Sequence, residues 1–315
     1  MDFFGMNVRN EKQKLIISAV GDVCYEGILK DKPQKGIFSP IDHIFFASDA
    51  VVANLENPLT SQEKKVSGKC TLRGNPGWVE VMKEAGINLV SLANNHMMDY
   101  GPEGLFDTMH CLDSAGIRHV GAGKNREKAQ APLIVSIGNK KIAFLARSSV
   151  IVSSPSYAGP SLSGVAFLDT GELIDNVRRC TGVADLVIVL LHWGLEEYSY
   201  PAPAQKLLVR KLVDAGADAI IGHHPHVLQG LQRLDRAVVA YSLGNFLFDE
   251  FAWRPKSDDK EVMLHLSESN RKGMILQLSW NGAKSLECSQ VFTRIDSGGH
   301  IVIDNDPDRE KEFAT

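Results

Sequence analysis

Five short polar clusters in the chain combine residue types that bind divalent cations, and each one follows or closes an apolar run. Gly21-Asp22 follows Leu15–Val20, and Asn54-Leu55-Glu56-Asn57-Pro58 closes Val51–Leu55. Asn94-Asn95-His96, with Asp99 and Gly101 close behind, follows Leu89–Ala93. His192-Trp193-Gly194, with Glu196 next, follows Leu186–Leu191, and Gly222-His223-His224-Pro225-His226 follows Ala219–Ile221. Five of the ten histidines fall in these clusters, which concentrates imidazole where the carboxylates are. Carboxylates, carboxamides and imidazoles without thiolate suit Mn²⁺, Fe²⁺ or Zn²⁺ and argue against a cysteine-type structural zinc. There are ligands enough for two ions. Two ions about 3.5–4 Å apart hold a phosphoryl group and lower the pKa of a shared water to about neutral.

Each cluster taken singly also has a structural reading. Gly21-Asp22 reads as a turn, Glu56 as a cap, Asn94-Asn95-His96 as a tight turn rich in Asn, and His192 as a satisfied core histidine. Three imidazoles in four residues at His223, His224 and His226, with Pro225 fixing the backbone between two of them, resist such a reading. Recurrence of the same placement five times carries the expectation of a metal site. Other signals are weaker. Gly121-Ala122-Gly123-Lys124 lacks the Walker spacing and reads as a turn, and no G-x-S-x-G elbow is present. Tyr241–Phe246 is a strand end with a turn, whose polar groups, Asn245 among them, either approach the same site or close the sheet.

The elements that must position these residues alternate through most of the chain. Near-continuous apolar runs, including Leu133–Ile137 and Ile142–Ala146 besides those above, read as strands buried on both faces and covered by helices. Helices are expected over Trp78–Ala85, Pro102–Ala115 and Ala202–Ala215, each stopped by a glycine (Gly86, Gly116, Gly216). After Gly222 the runs Val227–Leu234, Ala237–Leu243, Gly273–Trp280 and Ser285–Ile295 read as a β-meander without helical insert. Mixed early and β-rich late implies one α+β sandwich with two facing sheets, spanning residues 15–303, between an N-terminal extension 1–14 and an acidic tail 304–315. Ligand sites in such sheets form outside the carboxyl ends of the strands, where the five clusters fall. Ser148–Gly164 and Phe248–Lys260 read as loops that shape the pocket, with Tyr157, Phe251, Trp253 and Arg254 as candidate contacts.

Composition sets the limits. The 315 residues are 44% hydrophobic and 23% charged, as expected of a globular protein able to fold without staples. Lys+Arg is 34 against Asp+Glu 38, a formal net charge of −4, which gives no electrostatic footprint for nucleic acid. The five cysteines are scattered without a C-x-x-C pair, as suits a reducing compartment. The start MDFFGMNVRNEKQK contains no apolar core of a signal peptide, and no apolar run approaches the roughly 18 residues of a membrane span. The expectation is a cytoplasmic protein.

The motifs in this order resemble the bacterial CapA/PgsA family, the poly-γ-glutamate capsule synthesis proteins of the calcineurin-like metallophosphatase superfamily. The resemblance rests on Gly21-Asp22, Asn54-Leu55-Glu56, Asn94-Asn95-His96-x-x-Asp99-x-Gly101, His192-Trp193-Gly194-x-Glu196, Gly222-His223-His224-Pro225-His226-Val227-x-Gln229 and Ser242-Leu243-Gly244-Asn245-Phe246. It implies a single-domain, four-layer α/β/β/α sandwich with one or two divalent ions (Mn, Fe or Zn) at the strand ends. It further implies Asp22, Glu56, Asn95, His192, His224 and His226 as ligands, with His223 or His224 pairing with His226. His96 becomes the acid that assists at the phosphoryl group, Asp99 orients its ring, and Glu196 and Asn245 stand at the rim of the ligand set. Two features differ from ordinary metallophosphatases: Cys24 replaces the histidine of Asp-x-His, and Glu56 replaces a bridging aspartate. The implied function is a metal-dependent hydrolase of phosphoester type, tied to capsule or poly-γ-glutamate synthesis, acting on an anionic small molecule or polymer. The alternative is a non-catalytic component that binds such a polyanion during assembly or export.

Overall fold

In the computed structural model the described residues are 14–150, 156–254, 260–282 and 286–306. The expected extension up to residue 13, the tail from 307 and the loop segments 151–155 and 255–259 lie outside them.

Period-two alternation in the strands builds the layers. Along Lys140–Ser148, Ile142, Phe144 and Ala146 point to one side, while Ala143 and Leu145 point to the other. The first set joins Ile17, Ala19, Val52, Ile188, Leu190, Leu276 and Leu278 in a core between two sheets. The second set meets Leu173, Val177 and Cys180 of helix Thr170–Thr181 and Leu208, Val209 and Leu212 of helix Pro203–Ala215. On the far side of the other sheet, Val51, Ala53, Leu55 and Val90 pack on Trp78, Met82, Leu105 and Leu112 from helices Trp78–Ala85 and Gly101–Ala115. The result is the expected α/β/β/α sandwich, because strands apolar on both faces need a covering layer on each.

The larger sheet has the order Ile301–Ile303, Glu287–Ile295, Lys272–Trp280, Leu15–Val23, Ala50–Leu55, Leu89–Ser91, Arg118–Val120, and Asn245–Leu247 pairs with the end of Leu15–Val23. The smaller sheet runs Leu231–Leu234, Ala237–Ala240, Ala219–His223, Leu186–His192, Lys140–Ser148, Leu133–Ile137. The late β segments are therefore not one meander. Leu231–Leu234 and Ala237–Ala240 form a hairpin on the smaller sheet, whereas Lys272–Trp280 and Glu287–Ile295 pair on the larger one. The expected strand over Val227–Leu234 is strand only from Leu231, because the chain turns sharply at His224–Val227 to serve the site.

Parallel register brings the polar ends into line. Asp22 sits beside Asn54 and Asn245, and Asn54 beside Ser91; across the sandwich His192 sits beside His223 and Ser148. Register slips on both neighbours of Leu15–Val23 next to Asp22, and such an irregularity turns a side chain out of the regular pleat. Glycine makes this junction possible: a Cβ on Gly21 would lie 2.0 Å from the Gly244 carbonyl oxygen, and one on Gly222 would lie 1.9 Å from that of Tyr241. Among the described residues no helix is long and apolar enough to cross a membrane.

Candidate metal centre

Two triads of ligand atoms, each gathered within 4.8 Å, form at the carboxyl ends of the strands: Asp22, Glu56 and His192, and Glu196, His224 and His226. The first triad is built on strand ends and is sealed, with Asp22 and Glu56 at 0% and His192 at 1% exposure. Asn54 ties its two acids together, its Nδ2 donating to Asp22 Oδ1 at 2.8 Å and to Glu56 Oε2 at 2.6 Å. His192 Nε2 lies 2.7 Å from Asn95 Oδ1 and 3.6 Å from Glu56 Oε1. The second triad stands on turns. His224 and His226 have left-handed backbones, with φ of 94° and 57°, as does Glu197 beside Glu196, at 65°. Asp22 faces both triads, since Oδ2 accepts from the His224 backbone N–H at 3.1 Å and lies 3.4 Å from His226 Nδ1.

His223 and His224 part company here. His223 Nε2 lies 3.2 Å from the Val20 carbonyl oxygen, and neither triad includes it. His224 follows with its left-handed turn and joins Glu196 and His226. Asn245 holds the His226 ring, Oδ1 to Nδ1 at 2.9 Å. His96 Nδ1 lies 2.7 Å from Asp99 Oδ2, which also accepts from the Leu72 backbone N–H, and the other oxygen of Asp99 pairs with Lys69. Lys69, 7% exposed, also donates to the Asn95 carbonyl oxygen, so one ammonium binds both sides of the Asn95-His96 pair. Asn94 builds the turn itself, accepting from the N–H groups of His96 and Met97 and donating to the Leu55 carbonyl.

The donor set fits cations on three grounds. Glu56 Oε1 and His224 Nδ1 are buried without a hydrogen-bond partner, a costly state that an ion relieves. Among the described residues the basic side chains within ion-pair distance of Asp22 and Glu56 are imidazoles, with no Lys or Arg among them. Burial, and then the Asp22 charge, pushes Glu56 well above the ordinary carboxylate range. Burial, followed by the neighbouring imidazoles, holds His192 and His224 well below the ordinary imidazole range, and neutral imidazole is the ligating form. Thiolate contributes nothing. Cys24 is packed among Leu72, Phe248 and Ile295, burial drives its pKa well up, and burial pushes its neighbour Cys70 up to about 12.

Residues singled out elsewhere have structural posts. Gly121 (φ 95°) marks a close approach of chain segments, where a Cβ would meet those of Ala93 and Ala146. The Tyr157 hydroxyl donates to the Val150 carbonyl, its ring sits edge-on to Phe167, and Arg254 pairs with Glu261. Phe251 and Trp253 belong to a hairpin of Phe251–Trp253 with Val262–Leu264. The bridging role of Asn54 is foreshadowed by its place two residues before Glu56. Lys69 has no such signal, standing in an irregular stretch 26 residues before its Asn95 partner.

The fold is an α/β/β/α sandwich with its polar side chains gathered at the strand ends. A crystal structure of a novel phosphatase from Mycoplasma pneumoniae shares it, with a TM-score of 0.55 at 16% identity over 95% of this chain and 97% of that one. The chain belongs to the family described as bacterial capsule synthesis protein PGA_cap, whose profile matches residues 16–250. It is 33% identical over 271 residues to the capsule biosynthesis protein CapA of Bacillus anthracis, covering 82% of this chain and 66% of that protein. It is 34% identical over 270 residues to the PGA biosynthesis protein CapA of Bacillus subtilis (strain 168), covering 81% and 68%. The chain thus spans about two thirds of the length of these curated relatives.

Proposed function

We propose that the protein is a metal-dependent hydrolase of phosphoester type acting on an anionic substrate in capsule biosynthesis. The observation that carries this reading is the pair of ligand triads, one buried and one at the rim, with Asp22 of the first facing His224 and His226 of the second and a carboxylate-held histidine alongside. Asp22, Glu56, Asn95 and His192 would hold one divalent ion; Glu196, His224 and His226, with Asp22 reaching across, would hold a second. Bound ions supply Lewis acidity to phosphoryl oxygens and a water acidified to about neutral pH.

The side chains of the chain itself do the rest. Asp99 accepts from His96 Nδ1 and fixes the ring, which leaves Nε2 as the nitrogen for proton transfer. Burial lowers the His96 pKa, while the Asp99 charge and hydrogen bond oppose that and favour the imidazolium whose Nε2–H can donate. In the hydrolysis, water oxygen forms the new P–O bond and its proton passes to solvent, the ester P–O bond breaks, and the departing oxygen takes its proton from His96, which solvent then reprotonates. Asn54 keeps the two acids of the buried triad aligned throughout.

The test is a panel of phosphomonoesters and phosphodiesters assayed with protein reconstituted in Mn²⁺, Fe²⁺ or Zn²⁺. Turnover that vanishes in His192→Ala and in His226→Ala, with circular dichroism unchanged, is the expected result. Full activity in either variant, or no turnover of any phosphoester by protein holding two ions, contradicts the reading.

A further inference from the structure

We infer that the turn Ser267–Arg271, outside the 16–250 span shared with the family, is a working part of the metal centre and that Asn270 is its positioning residue. The inference rests on the metal-centre reading above. The rim triad is assembled from two chain segments, Glu196–Glu197 and His224–His226, and neither is a strand or helix. Three of their residues, Glu197, His224 and His226, adopt left-handed φ values, a conformation that is strained for a non-glycine residue and persists only when surroundings enforce it.

Asn270 supplies that enforcement to two of them, Glu197 and His226. Its side chain is 4% exposed, and its Nδ2 donates to Glu197 Oε1 at 2.8 Å and to the His226 carbonyl oxygen at 3.2 Å. The Asn270 backbone carbonyl accepts from Asn245 Nδ2 at 3.0 Å, and Asn245 Oδ1 holds the His226 ring. His226 is thus fixed at its carbonyl directly and at its imidazole through one intermediary. The remaining side-chain atom, Oδ1, accepts from Ser267 N–H and Oγ–H, which locks the amide with Nδ2 toward the site. The following strand, Lys272–Trp280, pairs directly with Leu15–Val23, whose end bears Asp22, so sheet register delivers Asn270 to this place. Close approach is built in as well: a Cβ on Gly273 would lie 2.2 Å from the Asn245 carbonyl oxygen. Outer partners that orient ligands contribute about 10–100-fold to metal affinity.

The experiment measures ions per chain during titration with a graded chelator for the wild type, Asn270→Ala and Asn270→Asp, beside thermal melts. Asn270→Asp keeps the shape and the Ser267 bonds, and replaces the donor with an oxygen facing the Glu197 carboxylate and the His226 carbonyl. The expected result is selective: one ion leaves at about 10–100-fold less chelator in both variants, while the other is held as in the wild type. Two ions held with unchanged affinity in both variants overturn the inference. So does a parallel loosening of both ions with a lowered melting temperature, which is the mark of a merely structural residue. A wild-type protein that takes up no ion overturns the metal-centre reading itself, and shows this before any variant is compared.

Discussion

The two triads of the candidate metal centre are made in opposite ways. Asp22, Glu56 and His192 stand on or just beyond the ends of three strands, two of the larger sheet and one of the smaller, buried, with one carboxamide between the acids. Glu196, His224 and His226 stand on turns, with Glu196 exposed and His226 partly so, and their backbones need outside support. The strand-borne half inherits its geometry from sheet register, which the three hydrophobic clusters on and between the sheets enforce. The turn-borne half depends on polar side chains recruited from distant sequence. Solvent reaches the second half at Glu196 and His226, while the first half is sealed.

The largest effect should separate the halves by ion count. With each ion worth several kcal/mol of charge stabilisation, at tenfold per 1.4 kcal/mol, His192→Ala and His226→Ala should each lower turnover by about 10³-fold or more. Elemental analysis should show His226→Ala keeping the buried ion. If His226→Ala loses both ions, the two halves do not act separately.

A smaller loss should follow Lys69→Met. It removes the ammonium that joins Asp99 to the Asn95 carbonyl but touches no ligand atom. We expect kcat to fall about 10–100-fold with ion content unchanged and partial recovery in Lys69→Arg, measured by steady-state kinetics. Unchanged kcat would reduce Lys69 to a packing role.

Next comes a pH effect on chelator-stripped protein. Burial depresses His192 and His224, so below about pH 6.5 the unfolded chain takes up protons that the folded site refuses. Their contribution to stability is complete above that pH and is lost as pH falls toward the depressed folded values. Glu56 runs the other way: its raised pKa leaves a penalty at neutral pH that disappears as pH drops through the folded pKa toward about 4.5. Melting temperatures should therefore fall from pH 7 to pH 5.5, and less so in a His192→Ala, His224→Ala double variant. An equal fall in both proteins would assign the effect to other groups.

The smallest effect should come from Cys24→Ala. The thiol is buried in an apolar cluster, so its loss should cost about 0.5–1.5 kcal/mol, like one deleted methylene, with two ions still bound. Loss of an ion in this variant would make the thiol a ligand.

The strand-borne half is readable in the sequence because apolar runs such as Val51–Leu55 and Leu186–Leu191 announce both the strand and the point where it ends. The placement of Asp22, Glu56 and His192 at strand ends follows from that alone, whereas their roles as ligands come from the recurrence of such clusters and the family resemblance. The choice between His223 and His224 does not, since it turns on a left-handed residue immediately after the last strand position. Helix Thr170–Thr181 carried signals that a reading by apolar runs passes over: Leu173, Val177 and Cys180 at helical spacing, and Asp169 capping the Glu172 N–H. Lys69 and Asn270 are invisible in one dimension, because their roles exist only as contacts between segments that folding brings together. The late strands read as a single meander because local alternation says nothing about which sheet a strand joins.

The most direct test of a two-part metal centre is the metal content of the intact protein, purified without chelator or chelating resin and measured by elemental analysis after soaking in Mn²⁺, Fe²⁺ or Zn²⁺. Two equivalents per chain, released in two steps by graded chelator with the buried ion last, is the predicted result. No bound ion after soaking would contradict the account, and so would two ions lost together in a single step.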